Sequence, residues 1–148
     1  NWEKVSMLAQ ALPSIPVAGN GDINSAQELL HRSSGTPGGV MVGRAAVRSP
    51  WIFDQAAARL APGSQIDLEE TVCLFIALLA RYQPVEFHPT RLKRFLFYFL
   101  DNLCWAHHLK TLANRALFAT DSCLSAVERV LRAHFHENPE ERLFSIDP

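Results

Sequence analysis

Cysteine is scarce in this chain and long apolar runs are missing, and each shortage closes off a class of protein. Only three cysteines occur in 148 residues, Cys73, Cys104 and Cys123. They are far apart, fall in helical patterns and form no C-x-x-C pair, which argues against both a zinc site and a disulfide framework. Buried, reduced thiols in a cytosol-like compartment are the expectation. No apolar run approaches the ~18 residues of a membrane span. No signal peptide is legible, but the chain opens at Asn1 without an initiator Met, so this says little about targeting. The net charge of −1 gives no overall attraction for a polyanion, and any such surface must be local. The histidines His31, His88, His107, His108, His134 and His136 include one H-x-H pair. Residues two apart on a helix do not face each other, and no acidic or thiol residue is spaced to complete a site, so no metal is expected.

What is present is more specific. Two apolar runs, Ile15-Pro16-Val17-Ala18-Gly19 and Gly39-Val40-Met41-Val42, read as buried strands, and each ends in a tight turn, Asn20-Gly21-Asp22 and Gly43-Arg44. A strand that stops at glycine and hands over to a helix leaves backbone N–H groups pointing outward, where a phosphate can satisfy them. Two such turns about twenty residues apart fit the last two strands of a (β/α)8 barrel, whose terminal loops often bind a phosphate. The flanking patterns agree. Trp2, Val5, Leu8, Ala9 and Leu12 have helical spacing and stop at Pro13. Ser25 with Glu28 forms a capping box that opens a helix to about His31. Ala45-Ala46-Val47 suits a short helical turn, and Ser49-Pro50 caps a helix running to about Leu60.

Ala61-Pro62-Gly63-Ser64 is the clearest linker, and the domain boundary is placed there. Every segment beyond it reads as helical: Leu68 to Tyr82, Thr90 to about Trp105, His107 to Phe118, and Asp121 to Phe135, with Asp121 as the last N-cap. The polar tail from Glu137 to Pro148 is expected to fray. At 48% hydrophobic content the chain is long enough to bury a core as one or two units. A complete barrel needs roughly 200 residues or more, so most of its strands would lie outside this chain. The fold class is therefore α/β: a C-terminal fragment of a TIM barrel over 1–60, followed by an all-α domain over 65–148.

The string from Ile15 to Ile23, followed by Gly39-Val-Met-Val-Gly-Arg-Ala-Ala46 and Pro50-Trp51-Ile52-Phe53, resembles the tRNA-dihydrouridine synthase family. The likeness is dense over residues 1 to about 55 and weaker, though compatible, beyond. It implies a flavin-dependent barrel with a helical tRNA-binding domain behind it. Asn20, Gly21 and Asp22 would then offer backbone amides and the Asn side chain to the phosphate and ribityl region of FMN, and Gly43 and Arg44 would hold the same phosphate. Pro50-Trp51-Ile52-Phe53 either packs the closing helix against the barrel or, as the resemblance implies, helps seat the helical domain, and is not expected to be a binding segment. Arg91, Lys93 and Arg94, with Lys110 and Arg115 further on, form the basic concentration of the helical half. They are either a solvated face or the surface presented to tRNA phosphates.

The resemblance also implies a reaction. NAD(P)H reduces the flavin, which passes hydride to C6 of a flipped-out uridine while a cysteine thiol protonates C5. That cysteine belongs to an earlier barrel loop, and none of Cys73, Cys104 or Cys123 has the matching context. This chain is expected to carry the phosphate grip and the RNA-facing helices of an enzyme, to be inactive alone, and to work in the cytoplasm, with organellar targeting left open. Two other readings stay open. A different flavin or phosphosugar barrel would lack the helical domain, and a non-catalytic RNA-binding descendant should have lost the phosphate turns, which are intact here.

Overall fold

Helices dominate the computed structural model, which describes residues 1–36, 38–118 and 122–146. The chain parts into two units, Asn1–Leu60 and Ala61–Pro148.

In the first unit, helix α1 (Trp2–Ala11) begins where the Asn1 side-chain oxygen accepts the Lys4 N–H, and ends ahead of Pro13. No residue of α1 is buried, and Leu8 and Leu12 of its expected apolar face stand exposed. Strand pairing is much shorter than the two apolar runs predict. Strand β1 is Gly19–Asn20 and β2 is Val40–Met41, paired in parallel with Gly19 opposite Val40 and Asn20 opposite Met41. Two features explain the shortening. Pro16 has no N–H to give a ladder, and Gly39 takes φ +88°, which breaks extended backbone at the start of the second run.

Helix α2 (Ala26–Ser34) crosses between the strands. Ser25 accepts the Glu28 N–H at 3.1 Å, and the Glu28 carboxylate accepts from Asn24 rather than from Ser25, so the capping box is displaced by one residue. Helix α3 (Arg44–Arg48) follows β2 directly, and α4 (Ile52–Ala56) starts after Trp51 instead of at Pro50. The last helix of the unit stops well short of Leu60 because Ala58 adopts a left-handed φ of +53°, which no helix continues. Ile23, Leu29, Ala45, Trp51 and Ile52 are buried between these elements.

The second unit is built on α5 (Leu68–Tyr82), α6 (His88–Phe99), α7 (Ala106–Ala116) and α8 (Cys123–Glu137). Leu68, Val72, Ile76 and Leu79 line one face of α5, and Leu92, Phe95, Leu96 and Phe99 one face of α6, both at helical spacing. The rings of Phe75 and Phe95 stack with centroids 3.7 Å apart, and Phe95 stacks in turn on Phe99. Leu109, Val127 and Leu131 complete the fully buried centre. Gln83 takes the extended conformation required before Pro84, and this ends α5 where expected. Asp121, expected to cap α8, lies outside the described residues, and Ser122 holds the cap position without a side-chain hydrogen bond.

The unit is not all-α, and its tail is not frayed. Strand β3 (Gln65–Asp67) pairs antiparallel with β4 (Leu143–Ser145), with Ile66 opposite Phe144. Flanking bonds extend the ladder from Gly63 to Ile146 and from Leu68 to Arg142, at 2.9 and 2.8 Å. Asp67 caps α5 through the Glu70 N–H at 2.9 Å, and its other oxygen accepts both Nε and Nη2 of Arg142 at 2.9 and 2.7 Å. Arg142 also reaches Glu69, which in turn meets Arg132.

Burial pushes the Asp67 carboxyl up, but the Arg142 bonds and the amides of Glu70 and Glu69 outweigh it, leaving it below its ordinary 3.8. A depressed carboxyl binds fewer protons folded than unfolded, so its stabilisation is complete above that ordinary value and fades as pH falls through the folded one. Asp67→Asn keeps a capping oxygen and removes the charge. It should cost under about 1 kcal/mol at pH 7, because the pair is partly exposed. The gap between wild type and variant should close below about pH 4 in urea titrations. An undiminished gap at pH 3 would assign the effect to cap geometry instead.

Candidate functional site

Parallel pairing makes β1 and β2 run out at the same end, so the two glycine turns leave the ladder side by side. Gly21 and Asp22 take φ of +120° and +52°, so the chain leaves extended conformation directly after β1. Among the described residues, no backbone carbonyl accepts from the amides of Asp22, Arg44 or Ala45. The last two open α3, and the next amide, that of Ala46, already donates to the Gly43 carbonyl at 3.1 Å.

Asn20, Gly21, Asp22, Gly43 and Arg44 line one recess of about 250 Å³. Sequence spacing did not single out Ile23, Asn24, Met41 and Ala45, which complete the lining. Asn24 carried a weak signal, as a polar residue between buried Ile23 and the cap Ser25. A Cβ built on Gly43 would meet nothing within 4 Å, and the same holds at Gly21, so the floor of the recess is open space. Arg44 is the recess's cation. Its Nη2 lies 3.8 Å from the Asp22 carboxylate, with both side chains mostly exposed, a pairing too weak to hold the guanidinium against a stronger anion.

The other candidate residues lie in the second unit. Arg91, Lys93 and Arg94 are exposed on α6, and none makes an ion pair among the described residues. Lys110 on α7 is paired with Asp101, and Arg115 is exposed in the last turn of α7.

The thiols are not buried as expected. Cys104 is exposed, and Cys73 and Cys123 are half-buried at the margins of their helices' apolar faces. Burial pushes the Cys73 thiol up, away from the reactive thiolate. His134 has an acidic partner that spacing alone did not supply. Its Nε2 lies 3.0 Å from Glu141 of the folded tail, with both side chains over nine-tenths buried. His88 is also buried, its Nε2 bonded to the Gln83 carbonyl.

The family model described as dihydrouridine synthase (Dus) matches residues 1–121. The chain belongs to the dihydrouridine synthase family. A "Probable tRNA-dihydrouridine synthase" of Mycobacterium tuberculosis (strain CDC 1551 / Oshkosh) is 41% identical over 59 residues, 39% of this chain and 15% of that protein. The protein of the same description from Aquifex aeolicus (strain VF5) is 26% identical over 140 residues, 92% of this chain and 42% of its own length. "tRNA-dihydrouridine synthase B" of Pseudomonas syringae pv. tomato is 38% identical over 66 residues, 44% of this chain and 19% of that protein. The chain thus spans less than half of these relatives. The matched span of the dihydrouridine synthase family contains both the recess and the basic stretch of α6.

Two glycines of this family member separate support from site. A Cβ at Gly38 would fall 2.2 Å from the Val17 carbonyl oxygen, backbone that cannot swing aside, whereas one at Gly43 meets nothing. Gly38→Ala should lose about 1–3 kcal/mol. Gly43→Ala should stay within about 0.5 kcal/mol of wild type. Thermal unfolding followed by circular dichroism distinguishes them, and equal losses would mean that the recess is not open.

Proposed function

We propose that this chain is the flavin-phosphate grip and the RNA-facing helical part of a tRNA-dihydrouridine synthase, an FMN-dependent enzyme that reduces uridine in tRNA to 5,6-dihydrouridine with NAD(P)H. The observation that carries this is the convergence of two glycine turns from adjacent parallel strands on one recess with unpartnered amides and a loosely held arginine.

The residues present fit a phosphate monoester. The amides of Asp22, Arg44 and Ala45 supply neutral donors, and the Arg44 guanidinium supplies the charge that a dianion requires. At about 250 Å³ the recess is smaller than the roughly 300–1,000 Å³ of small-molecule sites, which suits the phosphate end of a cofactor and not its ring. FMN, when bound, supplies the hydride chemistry. The task of these residues is to orient it: Asn20 toward the ribityl chain, and Gly21, Gly43 and Arg44 toward the phosphate. The acid that protonates C5 of the base is a cysteine of the barrel outside this chain.

The exposed apolar side chains of the first unit favour the barrel reading. Parallel strands are ordinarily covered on both faces, yet Met7, Leu8, Ile15, Met41 and Phe53 are each half or more exposed. These are the surfaces that neighbouring barrel elements would cover. In the second unit, Arg91, Lys93 and Arg94, without an ion pair among the described residues, favour a tRNA-facing role over a merely solvated one, since solvated helix faces commonly alternate charges of both signs.

FMN and riboflavin differ by the phosphate alone, and that difference tests the site. In amide-resolved NMR titrations, FMN should shift Gly21, Asp22, Gly43 and Arg44, while riboflavin should leave them in place. Arg44→Ala should weaken FMN binding by about tenfold, the scale of one charge-assisted contact. Equal responses to both ligands would remove the phosphate assignment. The whole enzyme, given tRNA and NAD(P)H, should accumulate dihydrouridine.

A further inference from the structure

Helices α6 and α7 enclose a groove of about 340 Å³ that the phosphate recess does not involve. Its floor is apolar, with Leu96 and Leu117 both over nine-tenths buried. Phe97 forms one wall and is 58% exposed. Lys93, one turn earlier on α6, and His107 and Asn114 on α7 stand at the rim with exposed side chains. The Lys110 ammonium, tied to Asp101, lies over the Phe97 ring, 4.9 Å from its centroid.

A flat apolar wall, an amide with both a donor and an acceptor, and the Lys93 ammonium at the rim are the complement of one ligand class. A nucleobase offers a face to stack and an edge that both gives and takes hydrogen bonds, and its flanking phosphates supply the negative charge. A duplex hides its faces in its own stack. A phosphorylated peptide would engage the ammonium but leave Phe97 and Asn114 without a role. Resting on the tRNA-facing reading above, we propose that the α6–α7 groove binds one unpaired nucleotide of an RNA strand. The base lies against Phe97 over the Leu96–Leu117 floor, Asn114 meets its edge, and Lys93 and His107 meet the adjoining phosphates.

The test uses the 148-residue chain and fluorescence anisotropy with a labelled single-stranded uridine hexamer. Inorganic polyphosphate of matching charge serves as competitor, and tRNA is measured in parallel. Phe97→Ala and Asn114→Ala should each weaken hexamer binding about tenfold with the salt dependence unchanged, the scale of a lost stacking or edge contact. Phe97→Trp should restore or exceed wild-type affinity. Lys93→Gln should weaken binding and lower the salt slope by about one, as for a lost phosphate contact. Phe97 is largely exposed, so matched thermal melts should show every variant folded. Wild-type affinity in folded Phe97→Ala, or polyphosphate competing as well as RNA, overturns the proposal. If tRNA binds and the hexamer does not, the groove is wrong while the tRNA-facing reading stands. If neither binds, that reading fails and the groove falls with it.

Discussion

Two rungs of parallel backbone pairing, Gly19 with Val40 and Asn20 with Met41, hold the candidate site together. Their register decides which residues meet just past the strands. With Asn20 opposite Met41, the reversal at Gly21 and Asp22 comes beside Gly43 and the first amides of α3, and the recess follows. A slip of one residue would exchange the faces of every side chain on one strand and move Arg44 away from the Asn20 turn. So short a ladder resists slipping only through its surroundings. Trp2 provides one restraint, because its ring lies where a Cβ of residue 19 would have to be, so only glycine admits it. Gly38 provides a second by passing against the Val17 backbone, and α2 a third by closing the connection between the strands with a buried Leu29.

The helical unit divides the work differently. Its apolar centre, from Leu68 through Phe99 to Leu131, is fully buried and dominates the free energy of folding. The ion pairs around Asp67, Glu69, Arg132 and Arg142 add little of that energy, since all are partly exposed. Their effect is positional. Asp67 at once caps α5 and grips Arg142, so the residue that begins the first helix of the unit also holds the end of the chain. The buried His134–Glu141 contact does the same for the end of α8, where the Asn138 amide adds a bond to the His134 carbonyl. A tail that is polar in composition is thereby folded at three points.

How much of this could be read from the residues depended on how far apart the interacting groups lie in the chain. The bounds of α5 were legible because the Asp67 cap, the Leu68-Val72-Ile76-Leu79 stripe and the Pro84 stop are all local. The five residues of the recess were legible because glycine turns after apolar runs have their own chemistry, whatever sheet they join. Strand β4 was not, because Leu143, Phe144 and Ser145 become a strand only by pairing with residues almost eighty positions earlier. The contraction of β1 was obscured for the same reason: an apolar run such as Ile15–Gly19 records hydrophobicity, whereas pairing also needs donors that Pro16 lacks. Thiol burial failed on a finer scale. Helical periodicity puts Cys73 next to the buried stripe of α5 without deciding on which side of its edge it falls.

A net charge of −1 is compatible with a surface that attracts a polyanion, because paired and unpaired charges differ in reach. Arg132, Arg142 and Lys110 are each matched by a carboxylate, so their fields cancel within a few ångströms. Arg91, Lys93 and Arg94 have no ion-pair partner among the described residues, and they share one helix within four positions. Their fields add. Screening at physiological salt acts over about 8 Å, roughly the spacing of one and a half helical turns, so such a cluster is felt as a unit by a phosphate chain that passes close to it. Charge that is balanced over the whole chain but segregated by pairing gives weak long-range attraction and strong local contact. A protein with that distribution offers a polyanion a defined face and not an overall field.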